Sequence, residues 1–422
     1  RRVDRHGKTI GRESLFYKNQ LLNIPVATEY QNLFLNTLIW ISLKKGLPFI
    51  YTWFWPGSYK VAVCSTHDVD DIFGYAHVLK NILETPRKVF YSEIPKKKIL
   101  LALLVYILYR FLFKKAPPIR YILGVLKNEF DPYLYFEPWL KIQEEYKVNS
   151  SYYFLSRYDF NFRDPVVKRL MKRLFDKKID VEMHVSIESA RHARRLKRDK
   201  SHSENELEEL MPGVRYHTIS IKIPDTWKDV SDAGYVFSSN IGFNDVPGFR
   251  SGSCFPYSPF NRNEGEEIGL LEIPFGVMEE SIFAKEYLGY GKKEGLDLIK
   301  DLFRIVKKNN GCFTMIWHPV TLFERALNLN RWQDKLRLSA ADLYKEIIDF
   351  LSKDNVWFAS HKEIANWWID RENVILKTLY SDNGKLRLEI QTDKKKSITI
   401  SFLIPLDSNI KDITINGSPF HN

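Results

Sequence analysis

From Val61 onward, short runs of mostly apolar residues recur along the chain, each about the length of one strand. They are VAVCST (61–66), SSYYFL (150–155), IDVEMH (179–184), VRYHTI (214–219), YVFSSN (235–240), LLEIPF (270–275), CFTMIW (312–317) and VWFAS (356–360). Between several of them the apolar residues return every three or four positions, as in DPVVKRLMKRLFDKK (164–178) and KKEGLDLIKDLFRIVKKN (292–309). Strands alternating with amphipathic helices build parallel sheets. The pattern therefore predicts an α/β fold: a distorted or open (β/α) barrel of seven or eight strands over residues 59–373.

Two flanking regions read differently. Residues 1–58 carry the apolar patch LFLNTLIWIS and end in FIYTWFWPGSY, a buried lead-in packed on the barrel. Residues 374–422 alternate apolar and polar positions around DNG and NG turns, which predicts a small C-terminal β-sandwich-like domain. A hydrophobic helical insertion falls near 74–130, with KKKILLALLVYILYRFLFKK (96–115) at its centre. Its uninterrupted apolar core, Ile99 to Tyr109, is well short of the roughly 20 residues that cross a bilayer. Two readings stay open: a buried helix, or a helix lying in the membrane interface with lysines on both flanks.

Composition narrows the class. The chain of 422 residues is 44% apolar and 27% charged, as globular proteins are, and its aromatic share is 14%. A net charge of +11 favours an anionic partner such as a phospholipid surface or an acidic glycan. No nucleic-acid-binding motif accompanies that charge, and the basic runs RHARRLKRDK and KKK read as solvated faces or membrane contacts. Three scattered cysteines, Cys64, Cys254 and Cys312, form neither a metal motif nor a disulfide framework. A cytoplasmic location, peripheral at the membrane, is the expectation, and the pattern sets no oligomeric state.

The chemistry gathers at strand ends. CSTHDVDD (64–71) closes the first run with three carboxylates and an imidazole, which repel or resist burial unless a cation sits among them. His184 ends the third run and His318 follows the seventh. Barrel enzymes build their sites at that C-terminal face. In a strand-end Asp-x-Asp pair the two side chains point the same way, so one carboxylate can bind a metal while the other stays free.

THDVDD, followed in order by EMHVSIE, GVRYHT, GFRSG and IWHP, resembles the polysaccharide deacetylases, metal-dependent carbohydrate esterases, in the branch whose first motif reads Thr-His-Asp-Val-Asp. The resemblance runs from about Trp55 to Arg371 and takes in PDTWKDVSDAGY, LLEIPFGVMEE and VWFASHKEIANWW. It implies a hydrolase that removes N-acetyl groups from an N-acetylated glycan, free or lipid-linked. Such a reaction needs an activated water, a base and an acid.

By resemblance Asp70 is a metal ligand, Asp68 the base, Arg215 the partner of the base, and His318 the acid. His184 is the second ligand. The family's commonest pattern places another His where this chain has Glu188, and His217, two residues past Arg215 on the same strand face, is preferred as third ligand. Asp, His, His and water make an open site for Zn²⁺, with Mn²⁺ or Fe²⁺ suited to carboxylate-rich versions. Arg250, Gly252 and Trp317 are expected to line the substrate cleft. Two departures bear on activity: Ser238 stands where relatives carry Asp, and Glu279 where Asp commonly follows Met. Ser238 and Glu188 favour a rival reading, a catalytically degenerate barrel that binds glycan or an anionic membrane surface.

Overall fold

The apolar runs become one nine-stranded parallel sheet in the computed structural model. Residues 9–70, 133–156, 162, 165–319, 340–380, 386–392, 398–405, 414–415 and 418–419 are described. The strands are β1 (Val61–Val69), β2 (Ser150–Ser156), β3 (Asp180–Val185), β4 (Gly213–Tyr216), β5 (Phe237–Ser238), β6 (Leu271–Glu272), β7 (Val277–Met278), β8 (Cys312–Ile316) and β9 (Val356–Phe358). Their order is β7-β8-β1-β2-β3-β4-β5-β6, with β9 also on β1.

β1 is the hub. β8 pairs with one of its edges, while β9 takes Val61–Val63 and β2 takes Ser65–Val69 on the other. All nine of its residues are buried, as expected for a parallel strand covered on both faces.

The sheet curls until its two edges, β6 and β7, belong to one bent segment. The Ile273 amide donates to the Ser238 carbonyl at 2.8 Å, and the Gly276 amide donates to the Thr314 carbonyl at 3.1 Å. Of the run expected as one strand over 270–275 only Leu271–Glu272 is strand, and a second short strand, Val277–Met278, follows beyond its end. Pro274 lies between them, lacks an amide hydrogen and restricts the residue before it. The expected eight runs thus give nine strands, and the barrel is distorted at this seam.

Amphipathic helices cover the outside. Helix Pro165–Asp176 buries Val167, Leu170, Met171 and Leu174, and helix Lys292–Lys308 buries Leu296, Ile299, Phe303 and Val306, both at three- and four-residue spacing. Helix His361–Glu372 opens with a reciprocal cap, in which Ser360 Oγ accepts the Glu363 amide and Glu363 accepts the Ser360 amide. The run RHARRLKRDK enters helix Ala193–Leu207.

The lead-in is held through Leu22, Thr28 and Trp55, which are buried. LFLNTLIWIS, however, belongs to helix Val26–Lys44, whose one buried residue is Thr28. In the C-terminal region Ile375–Tyr380 and Leu386–Gln391 form an antiparallel hairpin. Ile400–Leu403 instead pairs antiparallel with Phe49–Thr52 of the lead-in, so the two flanking regions share a ribbon. The insertion near 74–130, with its segment 96–115, lies outside the described residues. Among the described residues no helix is long and apolar enough to cross a membrane.

Candidate metal centre and active site

The period of two along β1 sorts the first motif into two jobs. Ser65 and His67 face outward to the helices, where Ser65 Oγ meets Tyr344 Oη at 2.8 Å. The His67 Nδ1–H donates to the Trp317 carbonyl at 3.1 Å, since a carbonyl can only accept, and Nε2 then accepts from Gln143 Nε2 at 2.7 Å. The ring stacks on Tyr152, with centroids 4.5 Å apart. Burial pushes the His67 imidazole down from 6.5 to about 3, so it is a neutral packing residue.

Thr66 and Asp68 face the barrel interior, where Arg215 from β4 meets them. Arg215 Nη1 donates to Asp68 Oδ1 at 2.6 Å and to Thr66 Oγ1 at 2.8 Å. Its Nε and Nη2 donate to the carbonyl and hydroxyl of Ser239, and its plane lies over Tyr153 at 4.3 Å. Burial alone would raise the Asp68 carboxyl. The Arg215 guanidinium, with His184 and His318, outweighs burial and holds it below the usual carboxylate range.

Two residues beyond Asp68 and Arg215, one level nearer the mouth, stand Asp70 and His217. With His184 from β3 they form a cluster whose ligating atoms all lie within 4.8 Å of one another. Asp70 Oδ1 is 3.3 Å from His184 Nε2 and 3.6 Å from His217 Nε2. Ligand atoms bonded at ~2.0–2.1 Å to a tetrahedral zinc stand about 3.4 Å apart, so these spacings fit one ion. The His184 Nδ1–H donates to the Arg215 carbonyl at 3.0 Å, which turns the Nε2 lone pair toward the cluster. Asp70 Oδ1 is itself a buried oxygen that accepts no well-formed hydrogen bond. Against its burial, His184, His318 and His217 hold the Asp70 carboxyl well below the usual range.

His217 reaches its place through strained backbone. Thr218 and Ile219, both β-branched, have φ of +65° and +51°. Such residues cost on the order of 1–3 kcal/mol each and need support from their surroundings. Here Asn244 Nδ2 donates to the Thr218 carbonyl at 2.8 Å, and Ile219 packs with Phe275, Met278 and Ile316.

Glu279 is fully buried, and its Oε1 accepts both the ring Nδ1–H and the backbone amide of His318, at 2.8 and 2.7 Å. Burial would lower the His318 imidazole, but the Glu279 carboxylate overrides it and raises His318 well above its usual value. Ser238 has another partner: its hydroxyl donates to Glu272 of β6.

The remaining sequence-derived residues lie elsewhere. Glu188 is exposed on the short helix Ile187–Ala190. Arg250 Nη1 donates to the Gly242 carbonyl at 2.7 Å and Nη2 to Thr9 Oγ1 at 3.0 Å, tying a loop to the lead-in. Gly252, at φ +73°, lies under helix Val26–Lys44, where its carbonyl accepts the Ala27 amide at 2.8 Å. A side chain is disfavoured at that φ, so its glycine serves helix docking. Trp317 is fully buried against Phe283, Trp139 and Tyr344 and offers a ligand no surface. Sequence reasoning passed over Ser239 and Tyr153, the other residues holding Arg215. Period-two counting within YVFSSN and SSYYFL places both on inward faces.

No family model and no curated protein sequence matches the chain. Among solved structures, one assigned as a polysaccharide deacetylase from Mycobacterium smegmatis is 15% identical, with a TM-score of 0.45, over 75% of this chain and 92% of that one. The CE4 domain of a multidomain xylanase from the hindgut metagenome of Trinervitermes trinervoides is 12% identical, with a TM-score of 0.32, over 60% of this chain and 93% of that one. A mutant of a CE4 family pseudoenzyme with restored activity is 11% identical, with a TM-score of 0.30, over 55% of this chain and 63% of that one. Overlaps this loose identify no function, which must be read from the side chains.

Two expectations follow from the geometry. Asp70→Ala, His184→Ala and His217→Ala should each reduce bound divalent metal to background in elemental analysis, while Glu188→Ala keeps it. Retention in His217→Ala with loss in Glu188→Ala would reassign the third ligand. The second concerns acid stability. The unfolded chain protonates His67 near 6.5 and the folded chain only near 3. Folding stability should therefore fall as pH drops through that window, by at most about 1.4 kcal/mol per pH unit from this group. Urea midpoints between pH 7 and 4 should decline less steeply in His67→Gln; an equal slope would refute the assignment.

Proposed function

We propose that this protein is a metal-dependent hydrolase that removes acetyl groups from an N-acetylated glycan, with zinc as the metal. The observation that carries the reading is a pair of opposite protonation states beside a three-ligand cluster. Asp68 is held ionised by Arg215, and His318 is held protonated by Glu279. Environments that push a base and an acid apart in this way divide proton-transfer roles between them. Two imidazoles and a carboxylate suit Zn²⁺. The acetylated sugar as substrate rests on the ordered resemblance of the sequence motifs.

A divalent cation at Asp70, His184 and His217 would supply a Lewis acid that acidifies water and polarises the amide carbonyl. This matters because Asp68, held below its usual range, is a weak base that needs an acidified water. Asp68 Oδ1 is engaged by Arg215, which leaves Oδ2, on the His184 side, to take the proton of the attacking water. His318 Nδ1 is fixed on Glu279, so Nε2 delivers a proton to the departing nitrogen as the C–N bond breaks. The products are acetate and a free amine.

Release of acetate from N-acetylglucosamine oligomers, lost on chelation and restored by zinc, is the expected result. Glycan binding by the zinc-loaded protein without acetate release would favour the binding-only barrel. Asp68→Asn should keep its zinc and lose at least about 10²-fold in kcat; full activity in that variant would remove Asp68 from the reaction. Glu279→Gln removes the anion that raises His318. Its basic limb of activity against pH should therefore move to lower pH, and an unmoved limb would show that His318 is not the acid.

A further inference from the structure

Helix Val26–Lys44 is built inside out. Three of its polar residues turn to the barrel: Thr28 Oγ1 accepts the Cys254 amide at 3.1 Å, Asn32 Nδ2 donates to Asn309 Oδ1 at 2.7 Å, and Glu29 Oε1 accepts from Asn309 Nδ2 at 3.1 Å. The outward arc carries Tyr30, Leu33, Phe34, Leu38, Trp40 and Ile41, with Tyr30 70%, Phe34 68% and Trp40 59% exposed. These positions recur at three- and four-residue spacing, so they share one face. The preceding segment adds exposed Leu15, Leu21 and Ile24. Exposed apolar surface concentrated in this way marks an interaction site.

We infer that this face seats the protein on an anionic lipid surface. Three observations choose lipid over other occupants. Tyr30 and Trp40, which combine an apolar ring with a polar tip, stand toward the two ends of the face, as such residues do at membrane interfaces. Cations rim it: Lys44 lies over the Trp40 ring at 4.7 Å, and Lys45 follows, exposed. Within the helix no anion opposes them: Glu29, its one acidic residue, is turned to Asn309 and lies 3.7 Å from Lys308. The chain's net charge of +11 adds long-range attraction to anionic headgroups. With no described helix able to cross a bilayer, the contact would be interfacial. This inference stands independently of the proposed hydrolase.

Co-sedimentation of the full chain with phosphatidylcholine vesicles, with and without phosphatidylglycerol, tests it. Binding should rise at least about tenfold with the anionic lipid at low salt. Phe34→Ser combined with Ile41→Ser should abolish it, and Lys44→Glu combined with Lys45→Glu should weaken it about tenfold or more. All four positions face solvent, so both double variants should keep the zinc content and acetate release of the parent. Failure of lipid binding is thereby separated from failure of the hydrolase reading. The inference is overturned if the parent stays in the supernatant with both vesicles, or if both double variants bind as the parent does. It is equally overturned if light scattering shows a dimer that Phe34→Ser/Ile41→Ser dissociates and no vesicle binding occurs.

Discussion

The buried contact between Arg215 and Asp68 is the constraint on which the interior of the barrel depends. A guanidinium with no solvent exposure must be satisfied by protein, because an unpaired buried charge costs several kcal/mol. Four of its N–H groups are engaged, by Asp68, Thr66 and both oxygens of Ser239, and Tyr153 covers its face. Lysine, with one point charge and no fork, could not join three strands in this way. Thr66 and Asp68 belong to β1, Arg215 to β4, and Ser239 follows β5, so the contact fixes the relative height of strands that are not neighbours. β1 reaches β4 only through β2 and β3.

The cluster above inherits that height. Asp70 is two residues past Asp68 and His217 two past Arg215, so each side chain returns to the inner face one level higher. His184 pairs in register with Arg215 across β3 and β4, and its Nδ1 is held by the Arg215 carbonyl. One residue thus orients both His184 and Asp68. His217 lies past the end of β4, where the chain must turn while its side chain still points inward. The left-handed conformations at Thr218 and Ile219 supply that turn. Their cost is offset by the Asn244 hydrogen bond and the packing of Ile219, which places strain beside the cluster.

Much of this was legible because it follows from period. Strand alternation put Asp68 with Asp70 and Arg215 with His217 on shared faces, the end of the third run placed His184, and helical spacing marked Pro165–Asp176 and Lys292–Lys308. What escaped the sequence was set by contacts between distant segments. Arg250 and Gly252 look like cleft residues in GFRSG, yet the lead-in, more than two hundred residues earlier, meets both. Trp317 precedes His318, and alternation alone sends it outward into the core. The apolar helix Val26–Lys44 reads as buried because hydrophobicity predicts burial without saying in what. Its polar residues, not its apolar ones, hold it to the barrel.

The departures at positions 238 and 279 from the pattern that the chain resembles are best understood through the carboxylates around them. Glu272 is fully buried and accepts from Trp227 Nε1, from the Asn240 and Ile241 amides, and from the Ser238 hydroxyl. Burial raises its carboxyl, and these neutral donors oppose that rise. An Asp at position 238 would set a second carboxylate against Glu272 without a cation between them, a like-charge pair in a low-dielectric interior. Serine meets the same oxygen as a donor. His318 is supported instead by Glu279, which lies directly after β7 and closes on His318 directly after Trp317, at the end of the β8 side of the seam. Its extra methylene lengthens the reach, and the paired bonds to the ring and the amide of His318 remove the freedom that length would otherwise leave. Serine at 238 is therefore matched to Glu272 on the next strand, and glutamate at 279 to His318.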